Sequence, residues 1–303
     1  MDVQADTLVR PAKTRELVNF VLDSTRWNGF EFRDDDVVIC TWSKSGTTLT
    51  QQIVAQLVFG GAAEAYGQQL SPWLDFRFMP AEDVLAMAEA QRHRRLLKTH
   101  LPVDALVFSP KAKYIYIGRD ARDVFWSWRH HHAIFTDEAY RVMNPPDRTW
   151  PELPRPDPDA HRAYHRWLDD DGDPVGPFWS HVQGWWDIRR LPNVKLVHFN
   201  QLLADLPGTI RQIAAFLDIT IDESVFPTIV EHCGLEFMRR RAGDFELLET
   251  FFEGGGANFI NKGTNGRWRD VLSAEEIAKC DEVAARNLSP DCAHWLKTGE
   301  WLV

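Results

Sequence analysis

Short apolar runs alternate with helix-periodic stretches along the first two thirds of the chain. The clearest run is Val37-Val38-Ile39-Cys40, which follows the acidic triplet Asp34 to Asp36. A continuous apolar run of this length marks a strand buried on both faces. A polar loop from Thr41 to Thr48 follows, and then Ile53, Val54, Leu57 and Val58 recur at the spacing of one helical face. The same strand-loop-helix order returns at Arg95-Leu96-Leu97-Lys98, at Tyr114-Ile115-Tyr116-Ile117 before a helix from about Asp120, and at Val194-Lys195-Leu196-Val197 before Leu206 to Leu217. Such alternation predicts an α/β fold, a central parallel sheet flanked by helices.

Between Thr136 and Pro177 the pattern breaks into a segment rich in proline and aspartate, including Asn144-Pro145-Pro146-Asp147 and Asp169-Asp170-Asp171-Gly172-Asp173-Pro174. Insertions too long for a plain connection form lids or binding loops. We therefore expect 136–177 to contribute part of a ligand site or its lid. A glycine cluster, Gly254-Gly255-Gly256, precedes a second polar loop from Asn261 to Trp268. No internal repeat and no domain-sized linker interrupts the chain, so residues 1–303 are read as a single domain.

With 303 residues, 44% of them hydrophobic, the chain can bury a large core. Its formal net charge of -10 argues against nucleic acid as a partner, which requires a dense basic surface. An anionic ligand must then be held by a local site. No apolar run reaches the roughly 20 residues that span a bilayer, and the polar start from Met1 to Arg10 has no signal-peptide core. The expectation is a cytoplasmic protein, its four cysteines reduced and mostly buried, with no transmembrane segment.

Three loops carry candidate chemistry. In Ser43-Lys44-Ser45-Gly46-Thr47-Thr48, small residues leave backbone amides free to surround an anion, and the next helix adds its positive end. The order differs from the nucleotide-hydrolase loop G-x-x-x-x-G-K-[ST], because here the lysine precedes the glycine. A plain N-cap at Thr47 or Thr48 explains a hydroxyl but not Lys44 and Gly46. Lys98-Thr99-His100-Leu101-Pro102 and Arg119-Asp120-Ala121-Arg122-Asp123-Val124, with Ser127 beyond it, also follow strands. Their polar residues should emerge where open parallel sheets bind ligands. Guanidinium and hydroxyl groups there can grip a second phosphate.

These segments resemble the cytosolic sulfotransferase family over most of the chain. Thr41 to Thr48 is similar to its 5'-phosphosulfate loop, Lys98 to Pro102 to its catalytic-histidine segment, and Arg119 to Val124 with Ser127 to its 3'-phosphate element. Lys262-Gly263-Thr264-Asn265-Gly266-Arg267-Trp268 resembles its late K-G-x-x-G-x-W loop. Ser71-Pro72-Trp73-Leu74-Asp75 and the run from Arg92 to Leu106 look most like bacterial members described as glycolipid or aryl sulfotransferases.

The resemblance implies a P-loop-like sulfotransferase fold. It also implies transfer of a sulfuryl group from 3'-phosphoadenosine 5'-phosphosulfate to a hydroxyl or amine, with no metal. His100 would be the general base, Lys44 would neutralise the leaving oxygen, and Lys98 would help hold the sulfuryl oxygens. Ser43, Ser45, Gly46, Thr47 and Thr48 would hold the 5'-phosphate. Arg119, Ser127, Lys262 and Gly263 would hold the 3'-phosphate. Asn261 stands in place of a family arginine, for which Arg267 can compensate. Leu49, Phe199 and Leu235 replace aromatic residues usual around adenine.

His130, His131 and His132 point in different directions on a helix and cannot together face one metal ion, so helix-surface or pocket positions are expected. Trp185 and Trp186 suit core packing, whereas Trp128 and Phe135 suit either the core or an apolar pocket. The acceptor is expected to be a small molecule or lipid-like, bulky and partly apolar, and the enzyme a monomer or homodimer. Two readings compete: a P-loop small-molecule phosphotransferase, which needs a magnesium carboxylate, and a non-catalytic phosphoadenosine-binding protein, which has no use for His100.

Overall fold

A computed structural model describes residues 10–243 and 245–302; the polar start before Arg10 lies outside them. Four parallel strands form one sheet: β1 (Val37–Thr41), β2 (Leu96–Thr99), β3 (Lys113–Gly118) and β4 (Val194–His198), in the order β2-β1-β3-β4. All four lie where the apolar runs predicted them. In the register, Cys40 of β1 sits opposite Thr99 of β2 and Tyr116 of β3.

Alternation along these strands builds two cores. On one face Val37, Ile39, Leu96, Ile115 and Ile117 pack with Ile53, Val54 and Leu57 of helix α1 (Thr47–Val58), and with Ile210 and Ile213 of the helix Leu206–Phe216. On the other, Val38, Cys40, Leu97, Tyr114 and Tyr116 meet a larger aromatic cluster that includes Trp185 and Trp186. The Tyr116 ring stacks on Trp185 with centroids 5.3 Å apart. Both tryptophans are core residues, as their sequence context suggested.

The chain leaves β1 for β2 on one side and then crosses to β3 on the other. The strand order therefore reverses at β1, and ligands of open parallel sheets bind at the carboxyl end of such a reversal. Helix α1 starts there. So does α2 (Ala121–Ala133), capped by the Asp120 carboxylate, which accepts from the Arg122 amide. Residues 136–177 are more ordered than their composition implied, containing helices Asp137–Met143 and Ala160–Asp169. The late glycine-rich region likewise forms the short helices Glu246–Phe251 and Gly255–Phe259.

A buried ion pair ties the start of β1 to the start of β2. Arg95 Nε and Nη2 donate to the two carboxylate oxygens of Asp36 at 2.9 and 2.6 Å, and both side chains are fully enclosed. The Arg95 guanidinium also covers the Phe30 ring at 4.6 Å. Removing one partner of such a pair strands the other charge. Arg95→Met should therefore cost about 3–5 kcal/mol in urea unfolding. Arg286→Met, which breaks the exposed pair with Glu282, should leave the midpoint near wild type.

Candidate active site

A cavity of about 330 Å³ opens at the carboxyl ends of β1, β2 and β3. Its floor is the loop between β1 and α1. Gly46 stands at the N-cap of α1 with φ +124°, and no side chain caps the first turn, so its amides remain available to a ligand. A Cβ on Gly46 would lie 2.8 Å from Phe199 Cδ2, so close approach as well as backbone angle demands glycine. Lys44 itself adopts φ +69°, a conformation that the surrounding contacts must hold.

His100 is buried beside this loop. Its Nδ1 lies 2.8 Å from the Thr41 carbonyl and 2.9 Å from the Thr41 hydroxyl, which is in turn 2.6 Å from the Thr47 hydroxyl. A carbonyl only accepts, so Nδ1 carries the hydrogen and the lone pair of the neutral ring belongs to Nε2. Among the described residues Nε2 has no hydrogen-bond partner, and His100 lines the cavity. Burial, reinforced by the nearby Lys98 charge, holds the imidazole well below its ordinary value and keeps it neutral. His181 steadies the backbone here, its Nε2 donating to the His100 carbonyl at 3.2 Å while its Nδ1 accepts from the Tyr116 hydroxyl.

Cations crowd the same cavity. Burial, with smaller contributions from Lys98, Arg119 and Arg267, pushes Lys44 down to about 7. Burial pushes Lys98 down to about 8 against the pull of Asp75. Arg119 is satisfied by neutral acceptors: the Lys44 carbonyl, the Thr264 carbonyl and the Asn265 side-chain oxygen, at 3.0, 3.0 and 2.9 Å. Its guanidinium also lies 4.4 Å over the Phe199 ring. Among the described residues, no Asp or Glu lines the cavity. The result is a concentrated positive site in a protein of net charge -10.

The structure brings together Ser43, Lys44, Gly46, Thr47, Thr48, Lys98, His100, Arg119, Ser127, Phe199, Asn261, Lys262 and Gly263, and adds Leu49, Leu235 and Arg267. Ser45 is the exception. It is buried off the cavity wall, and its amide donates to the Trp42 carbonyl at 3.3 Å. Of residues 136–177, Met143 and Val175 reach the cavity, whereas Phe245, Leu247, Leu248, Phe251, Phe252 and Phe259 form much of its apolar wall.

Two contributions go beyond the sequence reading. His131, expected only at a helix-surface or pocket position, lines the cavity and its Nδ1 lies 3.1 Å from Lys44 Nζ. Its placement one helical turn beyond Ser127 was the available signal. Trp73 and Asp75 pack beneath Lys98 and His100, although their segment had been noted only for its resemblance.

Comparison with known proteins agrees with this geometry. Residues 34–290 match the family model described as the sulfotransferase domain. The chain belongs to this family. A glycolipid sulfotransferase of Mycobacterium bovis is 30% identical over 93% of each chain, and human sulfotransferase 1C2 is 25% identical over 86% of this chain and 85% of its own. Two solved structures share the fold of this sulfotransferase. Retinol dehydratase in complex with androsterone and the inactive cofactor PAP aligns at TM-score 0.68 and 23% identity, over 88% of this chain and 84% of the other. Mouse sulfotransferase SULT7A1 complexed with PAP aligns at 0.69 and 20%, over 89% and 90%.

Gly46→Ala should destabilise this sulfotransferase by more than about 1 kcal/mol, since alanine resists the positive φ and its methyl group meets Phe199. Thermal melting checks this, and Gly29→Ala, which has open space around it, separates the steric effect from the backbone effect.

Proposed function

We propose that this sulfotransferase takes its sulfuryl group from 3'-phosphoadenosine 5'-phosphosulfate and passes it to a hydroxyl or amine of a bulky, partly apolar acceptor. The observation that carries the reading is the open Nε2 of a neutral His100 facing the same cavity as Lys44 and Lys98. The acceptor oxygen forms a bond to sulfur while the bond from sulfur to the bridging phosphate oxygen breaks. The acceptor proton goes to His100 Nε2. Lys44 stabilises the charge that appears on the departing 5'-phosphate, with Thr47, Thr48 and the loop amides around it, and Lys98 holds the sulfuryl oxygens.

Arg119, Ser127, Lys262 and Gly263 are assigned to the 3'-phosphate, with Arg267 supplying the charge that Asn261 lacks. Phe199, Leu49 and Leu235 line the cavity where adenine would pack. The PAP bound in two structural neighbours supports this donor, and the mycobacterial glycolipid sulfotransferase supports a lipid-like acceptor. So does the apolar wall. A magnesium-dependent phosphotransferase is disfavoured by a wall without carboxylates among the described residues. Four buried free cysteines suit a reducing, cytoplasmic setting, and no helix of the described residues is long and apolar enough to cross a membrane.

The test is labelled sulfuryl transfer into a panel of phenols, sterols, glycolipids, amines and simple sugars. Lipophilic hydroxyls should be the better acceptors, and transfer to sugars alone would overturn the acceptor assignment. His100→Ala should bind the phosphoadenosine product nearly as well as wild type yet lose about 10²–10⁴-fold in single-turnover transfer. Near-normal transfer by a folded variant would remove His100 from the mechanism.

The lysines add a pH prediction. Folded pKa values of about 7 for Lys44 and about 8 for Lys98 leave both largely protonated at pH 6 and short of protons at pH 8. Bound phosphates favour the charged amines, so phosphoadenosine binding at pH 8 should take up on the order of one proton, falling towards zero at pH 6. Calorimetry in buffers of different ionisation enthalpy measures this uptake, and Lys44→Met should reduce it.

A further inference from the structure

The segment Ser71 to Phe76 runs beside the carboxyl end of β2. The Lys98 amide donates to the Pro72 carbonyl at 3.0 Å, and Trp73 forms an isolated parallel bridge with Lys98. This brings one indole against both groups assigned to the chemistry. The Lys98 Nζ lies 3.7 Å from the centre of the Trp73 ring, and the His100 ring meets the same indole edge-on at 4.8 Å and 86°. The indole is itself pinned. Its Nε1 donates to Asp75 Oδ2 at 2.7 Å, and the same oxygen accepts from the His100 amide at 3.3 Å. The other carboxylate oxygen accepts from Trp27 Nε1 at 3.0 Å.

Asp75 is completely buried, which raises its carboxyl above the ordinary value, and the N–H donors from Trp27, Trp73 and the His100 amide pull it back towards the ionised form. It forms no direct ion pair with Lys98 among the described residues. Lys98 therefore rests its charge on the π face of an indole that Asp75 orients. A direct carboxylate partner would have cancelled the charge. A π face stabilises an ammonium ion while leaving its hydrogens free for a ligand.

We propose that Trp73, anchored by Asp75, is a positioning residue for the reaction, holding Lys98 charged and aimed into the cavity beside His100. The proposal rests on the reading of Lys98 given above. The groups that face Lys98 are Asp75, which favours its proton, and Lys44, His100 and His131, each electrostatically coupled to it. Trp73 works against that crowding and against burial. Without it, the Lys98 pKa falls further, and transfer fails at a lower pH on the alkaline side.

Single-turnover transfer against pH, with product-nucleotide binding measured alongside, tests this in wild type, Lys98→Met, Trp73→Leu and a series in which Trp73 alone is replaced by mono-, di- and trifluorinated tryptophan. Fluorination drains the π face without changing the shape of the ring, so that series reads the contact even should the leucine variant fail to fold. The alkaline step that vanishes in Lys98→Met should move down by about one pH unit in Trp73→Leu, the scale of a desolvated cation–π contact. It should move stepwise with fluorination, while nucleotide affinity at pH 6.5 stays within about twofold of wild type. An alkaline step that ignores both leucine and fluorine overturns the role of Trp73. Lys44 titrates lower and gives its own step, so it is the upper of the two lysine steps that must go: its persistence unchanged in Lys98→Met overturns the assignment of Lys98 beneath it. A merely structural Trp73 would lower the melting temperature and leave the step in place.

Discussion

The constraint on which the rest of this structure depends is the maintenance of several positive charges in a desolvated cleft without neutralising them. Desolvation alone would discharge the lysines, and pairing each with a carboxylate would leave no charge for a ligand. The molecule instead surrounds its cations with neutral partners. Arg119 has two backbone carbonyls, an amide oxygen and the Phe199 ring; Lys44 has the His131 imidazole and the Phe259 ring at 4.9 Å; Lys98 has the Trp73 ring. Each of these contacts stabilises charge without cancelling it. The carboxylates near the cluster are committed elsewhere: Asp75 to indole N–H groups, and Asp123 to the Gly266 amide at 2.6 Å.

That arrangement demands a rigid support, and the sheet supplies it. The reversal of strand order at β1 places the loop to α1 between the ends of β2 and β3, so the three charged loops converge without a long connection. The two cores fix the sheet from both faces. Where the loops need further holding, they are tied across the sequence. Arg119 reaches the late loop at Thr264 and Asn265, and the Asn265 amide reaches Asn200 at 2.6 Å.

Much of this was legible in the sequence because it depends on local pattern. The four strands could be read from apolar runs bounded by turn residues, and the candidate phosphate loop from its small residues and lysine. The unread features depend on neighbours distant in the chain. Ser45 was read as a ligand because it lies within the loop, and only the folded loop shows it buried behind the cavity wall rather than on it. His131 is one of three adjacent histidines, and only the approach of Lys44 from another element distinguishes it. Trp73 and Asp75 acquire their positions through the pairing of their segment with β2, a contact that residue type and spacing do not encode. The short helices after Phe245 were obscured by the glycine cluster from Gly254 to Gly256 that follows the first and opens the second, and their aromatic residues gain meaning only as the wall of a cavity.

The bond from His100 to Thr41 joins the end of β2 to the end of β1, two strands that are direct neighbours in the sheet. The separation of the histidine from the loop after β1 is therefore set by strand pairing, one of the least adjustable lengths in a protein. Much of the apolar wall, by contrast, comes from the region 245–260 and from residues such as Phe20, Phe76 and Phe78 that precede β2. Reaction geometry and substrate fit thus occupy separate parts of the architecture. Mutational drift in the wall can retune which molecule is accommodated while the distance between His100 and the loop after β1, on which the proposed proton removal depends, stays as the sheet defines it.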